Sequence, residues 1–123
     1  MKIPGSVTSI GQYAFEDCAS LSDLTIESGV QSIGAGAFTK CSSLTNVTIP
    51  DTVTSIGQFA FQGCLGLTSV TIPSSVTSIG TSAFGWCPGL MDVTFNGKTL
   101  EQVRAMNDYP WGITDTSIIH VQG

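Results

Sequence analysis

The chain has 123 residues, enough for one domain with a sizeable core, and carries only 11% charged residues with a net charge of −5. Four scattered cations, Lys2, Lys40, Lys98 and Arg104, cannot line a phosphate backbone, so nucleic acid is not an expected partner. No segment is long and apolar enough to enter a bilayer as a spanning helix, and the first residues lack the charged-then-apolar pattern of a signal peptide, so membrane insertion is not expected.

The chain opens inside a repeat, as Met1-Lys2-Ile3-Pro4, which leads us to expect a segment of a longer array. Units of 23 residues begin at Ile3, Ile26, Ile49 and Ile72 without a slip in spacing; the third reads IPDTVTSIGQFAFQGCLGLTSVT. The fixed columns are mostly apolar or small. They are Val7, Val30, Val53 and Val76; Ile10, Ile33, Ile56 and Ile79; Phe15, Phe38, Phe61 and Phe84; Cys18, Cys41, Cys64 and Cys87; and Leu21, Leu44, Leu67 and Leu90. Leu24, Val47, Val70 and Val93 complete the set. One unit cannot bury so many apolar side chains, whereas stacked units can, because each column then continues into the next coil as a ladder.

Within a unit, Leu67 to Ile72 alternates, placing Val70 and Ile72 inward and Ser69 and Thr71 in solvent, and Pro73 stops the strand. The β-branched run Val76 to Ile79 predicts a second short strand or an extended turn. Gly11, Gly34, Gly57 and Gly80 form a column expected where φ is positive or a corner is tight. Ser82 to Cys87 is too short for a regular helix and predicts a single helical or 3₁₀ turn.

The pattern lapses at Phe95, and residues 95–123 read as a C-terminal cap. Thr99-Leu100-Glu101-Gln102 matches a capping box, and Leu100, Val103 and Met106 share one face of a helix expected over 99–107. That face, with Trp111 and Ile113, is expected to close the last coil, and Ile118 to Val121 to add a final strand. No comparable cap precedes the first coil. It lacks its preceding strand, so an open edge and self-association through it are expected.

These residues resemble the BspA-like leucine-rich repeats, a 23-residue (Treponema pallidum-type) class of surface proteins. The signature I-P-x-x-V-T-S-I-G-x-x-A-F-x-x-C-x-x-L-x-x-V-T runs over residues 3–94, and GKTLEQVRAMNDYPWGI is similar to a terminal cap of such arrays. The resemblance implies a leucine-rich-repeat solenoid. A parallel sheet would form its concave face, short strands and 3₁₀ or helical turns its convex side, and a helix plus strand its cap. It further implies a cell-surface or secreted adhesive protein that binds host matrix or bacterial surface proteins, or a glycan, with no family catalytic residues. In the second unit Glu27 replaces Pro and Gln31 replaces Thr, which puts the local turn geometry in question.

Other chemistries compare poorly with plainer readings. The cysteines recur at 23 residues, unlike paired zinc ligands, and parallel inward side chains seldom meet disulfide geometry, so a buried column of free thiols is expected. His120 lacks a nucleophile motif around it and reads as a surface or cap residue. Asp23, Glu27, Asp51 and Asp92 have no calcium-loop spacing, and the sequon at Asn46 reads as incidental. The solvent side of the concave sheet is expected to carry Asp23, Thr25, Glu27, Asn46, Thr48, Ser69, Thr71, Asp92, Thr94 and Asn96. This polar, mildly acidic face is either a recognition surface or ordinary solvated sheet. Tyr13, Phe59 and Trp86 lean outward and would form a contact patch if they lay together.

The expected role is therefore a non-catalytic interaction or adhesion module, with no cofactor. A spacer without its own ligand is the alternative, and ice binding through the threonine ladder is a more distant one, because the flanking column mixes Asp, Asn and Ser.

Overall fold

The structure, a computed structural model, describes all 123 residues. The chain winds as a parallel solenoid in which each repeat supplies one coil. Strands β1 (Lys2–Ile3), β3 (Thr25–Ile26), β5 (Asn46–Thr48), β7 (Ser69–Ile72) and β9 (Asp92–Asn96) start successive coils. Short strands β2 (Ser9–Ile10), β4 (Ser32–Ile33), β6 (Ser55–Ile56) and β8 (Ser78–Ile79) follow, and pair in chain order as a second parallel sheet. The expected second strand is thus confined to the last two residues of the Val76–Ile79 run. The starting strands lengthen toward the C-terminal end, where β10 (Ile119–Gln122) joins β9 in parallel.

The starting strands do not form one continuous sheet. Strands β5, β7, β9 and β10 pair in one sheet, while β1 and β3 pair in another. The first coil therefore does have a strand before it, contrary to expectation, although it is only two residues long. Glu27 contributes to that pairing: its N–H donates to Ile3 O at 3.0 Å, a bond that Pro, the residue at the same place in the other repeats, cannot make.

Side chains of the fixed columns fill the interior. Val30, Phe38, Cys41, Leu44, Phe61, Cys64 and Leu67 are completely buried. The phenylalanines stack in register, with ring centroids 5.3, 5.3 and 5.8 Å apart from Phe15 through Phe38 and Phe61 to Phe84. A single coil spacing sets this repeat, so each ring covers the next.

The segment after each glycine column is neither a helical nor a 3₁₀ turn. It is a staircase of tight turns in which alternate N–H groups bond backward within the coil and forward to the next coil. Ala14 N–H donates to Gly11 O at 3.2 Å, whereas Phe15 N–H donates to Ala37 O at 2.8 Å. The same forward bond recurs from Phe38 to Ala60 O and from Phe61 to Ala83 O, both at 2.8 Å. Two columns of the staircase hold positive φ: Tyr13, Gly36, Phe59 and Ser82, and Asp17, Lys40, Gly63 and Trp86. A helix needs every N–H to bond within its own chain segment. Here half of them serve the neighbouring coil instead.

Of the two causes expected for the glycine column, positive φ does not apply. Gly11, Gly34, Gly57 and Gly80 are not at positive φ. Gly34, Gly57 and Gly80 sit where one coil crosses the backbone of the coil before it: a Cβ on Gly34 would lie 2.6 Å from Ile10 O, and one on Gly57 2.5 Å from Ala35 N.

The cap completes the stack. Helix α1 (Leu100–Arg104) begins at Thr99 with both capping-box bonds present, and is shorter than the expected 99–107 because Ala105 already terminates it. Beyond it, Trp111 imitates the missing staircase of a further coil, accepting from Phe84 N–H through its carbonyl at 3.0 Å. Its ring is fully buried 5.4 Å from Phe95, and its Nε1–H donates to Asn107 O at 3.0 Å. Val103 and Ile113 are buried with it, as expected.

Candidate functional site

Parallel pairing in exact coil register aligns the outward residues of the wider sheet into rows. Asn46, Ser69 and Asp92 are partners in one row, and Thr48, Thr71, Thr94 and His120 in the next. The row exists because Val47, Val70, Val93 and Ile119 all face the core, which by period-two alternation turns their neighbours to solvent. Asn46, Thr48 and Asp92 are exposed, and Ser69, Thr71 and Thr94 half-buried.

The remaining expected residues stand apart from this block. Thr25 is exposed on the smaller sheet, in register with Lys2, and Asp23 is exposed just before that strand. Glu27 is half-buried, with its carboxylate 3.8 Å from Lys2 Nζ. The threonine row is therefore interrupted between Thr25 and Thr48. Asn96 is not the exposed residue expected: it is half-buried beside Gln122, and its Oδ1 is enclosed without a hydrogen-bond partner.

Sequence reasoning missed His120 as a member of this face. The cap strand continues the alternation, Ile119 in and His120 out, and its register with Thr94 extends the threonine row. Asp92 Oδ1 accepts from Thr94 Oγ1 at 2.7 Å and lies 3.9 Å from His120 Nε2. The face thus has neutral hydroxyl and amide groups at its centre, an acid–histidine pair at the cap end, and a Lys2–Glu27 pair at the other.

Tyr13, Phe59 and Trp86 do not form one patch. Tyr13 and Phe59 share one staircase column and Trp86 belongs to the other. The cysteines are free thiols. Cys41, Cys64 and Cys87 each donate to the carbonyl of a phenylalanine one coil back, at 3.2 Å, so the column is a hydrogen-bonded ladder as well as an apolar one. Burial pushes the Cys64 thiol up to about 12 and those of Cys41 and Cys87 to about 11, which keeps all three protonated.

Comparison with known proteins agrees with this architecture. The family model described as BspA type leucine rich repeat region matches residues 1–107, in six copies. A leucine-rich repeat protein from Bacteroides ovatus is similar in structure, with a TM-score of 0.80 and 31% identity over 94% of this chain and 28% of its own length. The leucine rich repeat protein of T. pallidum superposes with a TM-score of 0.74 and 39% identity, over 76% of this chain and 44% of its own. The chain therefore spans less than half the length of either. No curated protein matches it. Leucine-rich repeat proteins are generally interaction modules without catalytic function, and BspA-type members are typically displayed on the surface or secreted. On the match over residues 1–107 and the shared solenoid, the chain belongs to the BspA-type leucine-rich repeat family.

Proposed function

We propose that the chain is one interaction unit, four repeats over 3–94 closed by the cap at 95–123, of a bacterial cell-surface or secreted adhesin. It binds a host matrix protein, another bacterial surface protein or a glycan without catalysis or cofactor. Its recognition surface is the polar sheet face: Asn46, Thr48, Ser69, Thr71, Asp92 and Thr94 at the centre, extended by Asp23, Thr25, Glu27 and Asn96. The observation that supports this best is the register of the rows, Thr48–Thr71–Thr94–His120 beside Asn46–Ser69–Asp92, which presents hydroxyl, amide and carboxylate groups at one regular spacing on a rigid sheet.

The test is solid-phase binding of the chain to immobilised fibronectin, laminin and collagen and to intact bacterial cells. Retention that falls at least tenfold in Asp92→Lys and Thr71→Lys, with melting temperature unchanged, is the expected result. Equal retention of variants and parent, or none by either, would favour a spacer role.

The first coil supports a second contact, between copies of the chain. Val7 is 36% exposed where Val30, Val53 and Val76 are fully buried, and Phe15, Cys18 and Leu21 are only half-covered. Self-association through this end is expected to appear in sedimentation velocity as concentration-dependent dimer, weakened by Val7→Lys. A monomer at all concentrations would contradict it.

A further inference from the structure

Away from the wide sheet, the turn staircase carries a groove of about 590 Å³ running across the coils from Asp17 to Trp86. Gly63, one of the residues lining it, belongs to a left-handed column. Gly36 and Gly63 both have positive φ, but their surroundings differ. The ring of Tyr13 lies over Gly36, so that a Cβ there would collide with it. Over Gly63 the nearest atoms belong to Lys40, the closest being Cγ at 3.4 Å, and the space beside them stays open. Trp86, one coil further on, does not fold down to fill it. It is 79% exposed. The positive φ belongs to the whole column that Trp86 shares with Asp17, Lys40 and Gly63; what sets Trp86 apart is a large aromatic left in solvent beside the groove.

The groove's chemistry narrows the occupant. Asp17 and Lys40 lie on neighbouring coils yet neither is in an ion pair; the chain's pairs are Lys2–Glu27 and Asp92–His120. Their charges cancel, so the groove favours no net charge. The backbone groups that a bound peptide strand would need are already used: Asp17 N–H donates to Thr39 O at 2.8 Å, Lys40 N–H to Gln62 O at 2.8 Å, and Gly63 N–H to Gly85 O at 2.9 Å. Recognition must therefore come from one aromatic face, the apolar edge of Leu65, and separate side-chain donors and acceptors on Lys40, Gln62 and Asp17. Trp86 and Asp17 are three coil spacings apart, about 14 Å.

We propose that this groove binds a short neutral oligosaccharide. One pyranose ring lays its C–H face on the Trp86 indole above Gly63. Hydroxyls of that ring and the next, which both donate and accept, meet the Gln62 amide, the Lys40 ammonium and the Asp17 carboxylate. The volume lies within the range of small-ligand sites.

Trp86 is exposed and Trp111 buried, so acrylamide quenching of fluorescence reads the site directly. The probes are cellobiose, maltose, lactose, chitobiose and mannobiose at millimolar concentration, with an acidic and a basic octapeptide for comparison. At least one disaccharide is expected to lower the quenching slope of Trp86, by about half at half-saturation. Gly63→Asn, the side chain that accepts positive φ at least cost, is expected to abolish the effect with the melting temperature lowered by only a few degrees; Lys40→Ala is expected to weaken it; Thr71→Lys, on the wide sheet, leaves it unchanged. The proposal is overturned if no disaccharide protects Trp86, if protection survives Gly63→Asn, or if only a peptide protects.

Discussion

Two identical substitutions in one column test how the coils stack. Gly57→Ala places a Cβ 2.5 Å from Ala35 N, 2.7 Å from the Gly34 carbonyl carbon and 2.8 Å from Ala35 Cα. All three are backbone atoms, so no rotamer change relieves the clash and the two coils must separate. Overpacking of this kind costs about 1–3 kcal/mol. Gly11→Ala makes the same change in the first coil, where nothing lies within 4 Å of the new methyl. There the substitution only restricts the unfolded chain, stabilising by about 0.4–1 kcal/mol. The two variants should differ by roughly 1.5–4 kcal/mol. With a urea slope of about 2 kcal/mol per molar, the unfolding midpoints should stand roughly 1–2 M apart, Gly11→Ala at or above the parent and Gly57→Ala well below it. Matching midpoints for the two variants would refute the close approach of coils as the reason for the glycine column.

The phenylalanine ladder and the thiols give further expectations. Phe61→Ala removes a fully buried ring stacked on both sides and should cost about 3–5 kcal/mol, whereas Phe15→Ala, half-covered at the open end, should cost clearly less; urea titration compares them. The folded thiols ionise above the ordinary value of 9.0, at about 11 to 12, so the unfolded chain loses its thiol protons first as pH rises. Stability from this source is complete below pH 9.0 and is lost as pH climbs toward 12. Midpoints measured across that interval should fall more steeply for the parent than for a Cys41→Ala, Cys64→Ala, Cys87→Ala triple variant; parallel curves would count against it. Thiol titration of the denatured chain without reductant should find four groups.

Much of this architecture is legible in the 23-residue period, because apolar columns are repeated at every coil and a ladder tolerates few alternatives. The staircase is the part that could not be read. Its left-handed positions hold Tyr13, Asp17, Lys40, Phe59, Ser82 and Trp86, residues that ordinarily avoid positive φ, and only Gly36 and Gly63 hint at the requirement. Backbone bonds to the next coil impose it, and these leave no side-chain signature. The glycine column was visible, yet its cause lay between coils, beyond what spacing along one chain reveals. On the candidate face, Val70 and Ile72 were enough to turn Ser69 and Thr71 outward. His120 was overlooked because its membership depends on the register of β10 against β9, a pairing made by a cap outside the repeat.

The central claim, that recognition occurs on the wide sheet face, is tested most directly by two-dimensional NMR of the ¹⁵N-labelled chain with whichever immobilised partner retains it. Thr48, Thr71, Thr94 and His120 amides are expected to shift or broaden first, with Asn46, Ser69 and Asp92 beside them, while the short strands Ser32–Ile33 and Ser55–Ile56 stay unchanged. Perturbations confined to those short strands, or spread evenly over the chain, would contradict it.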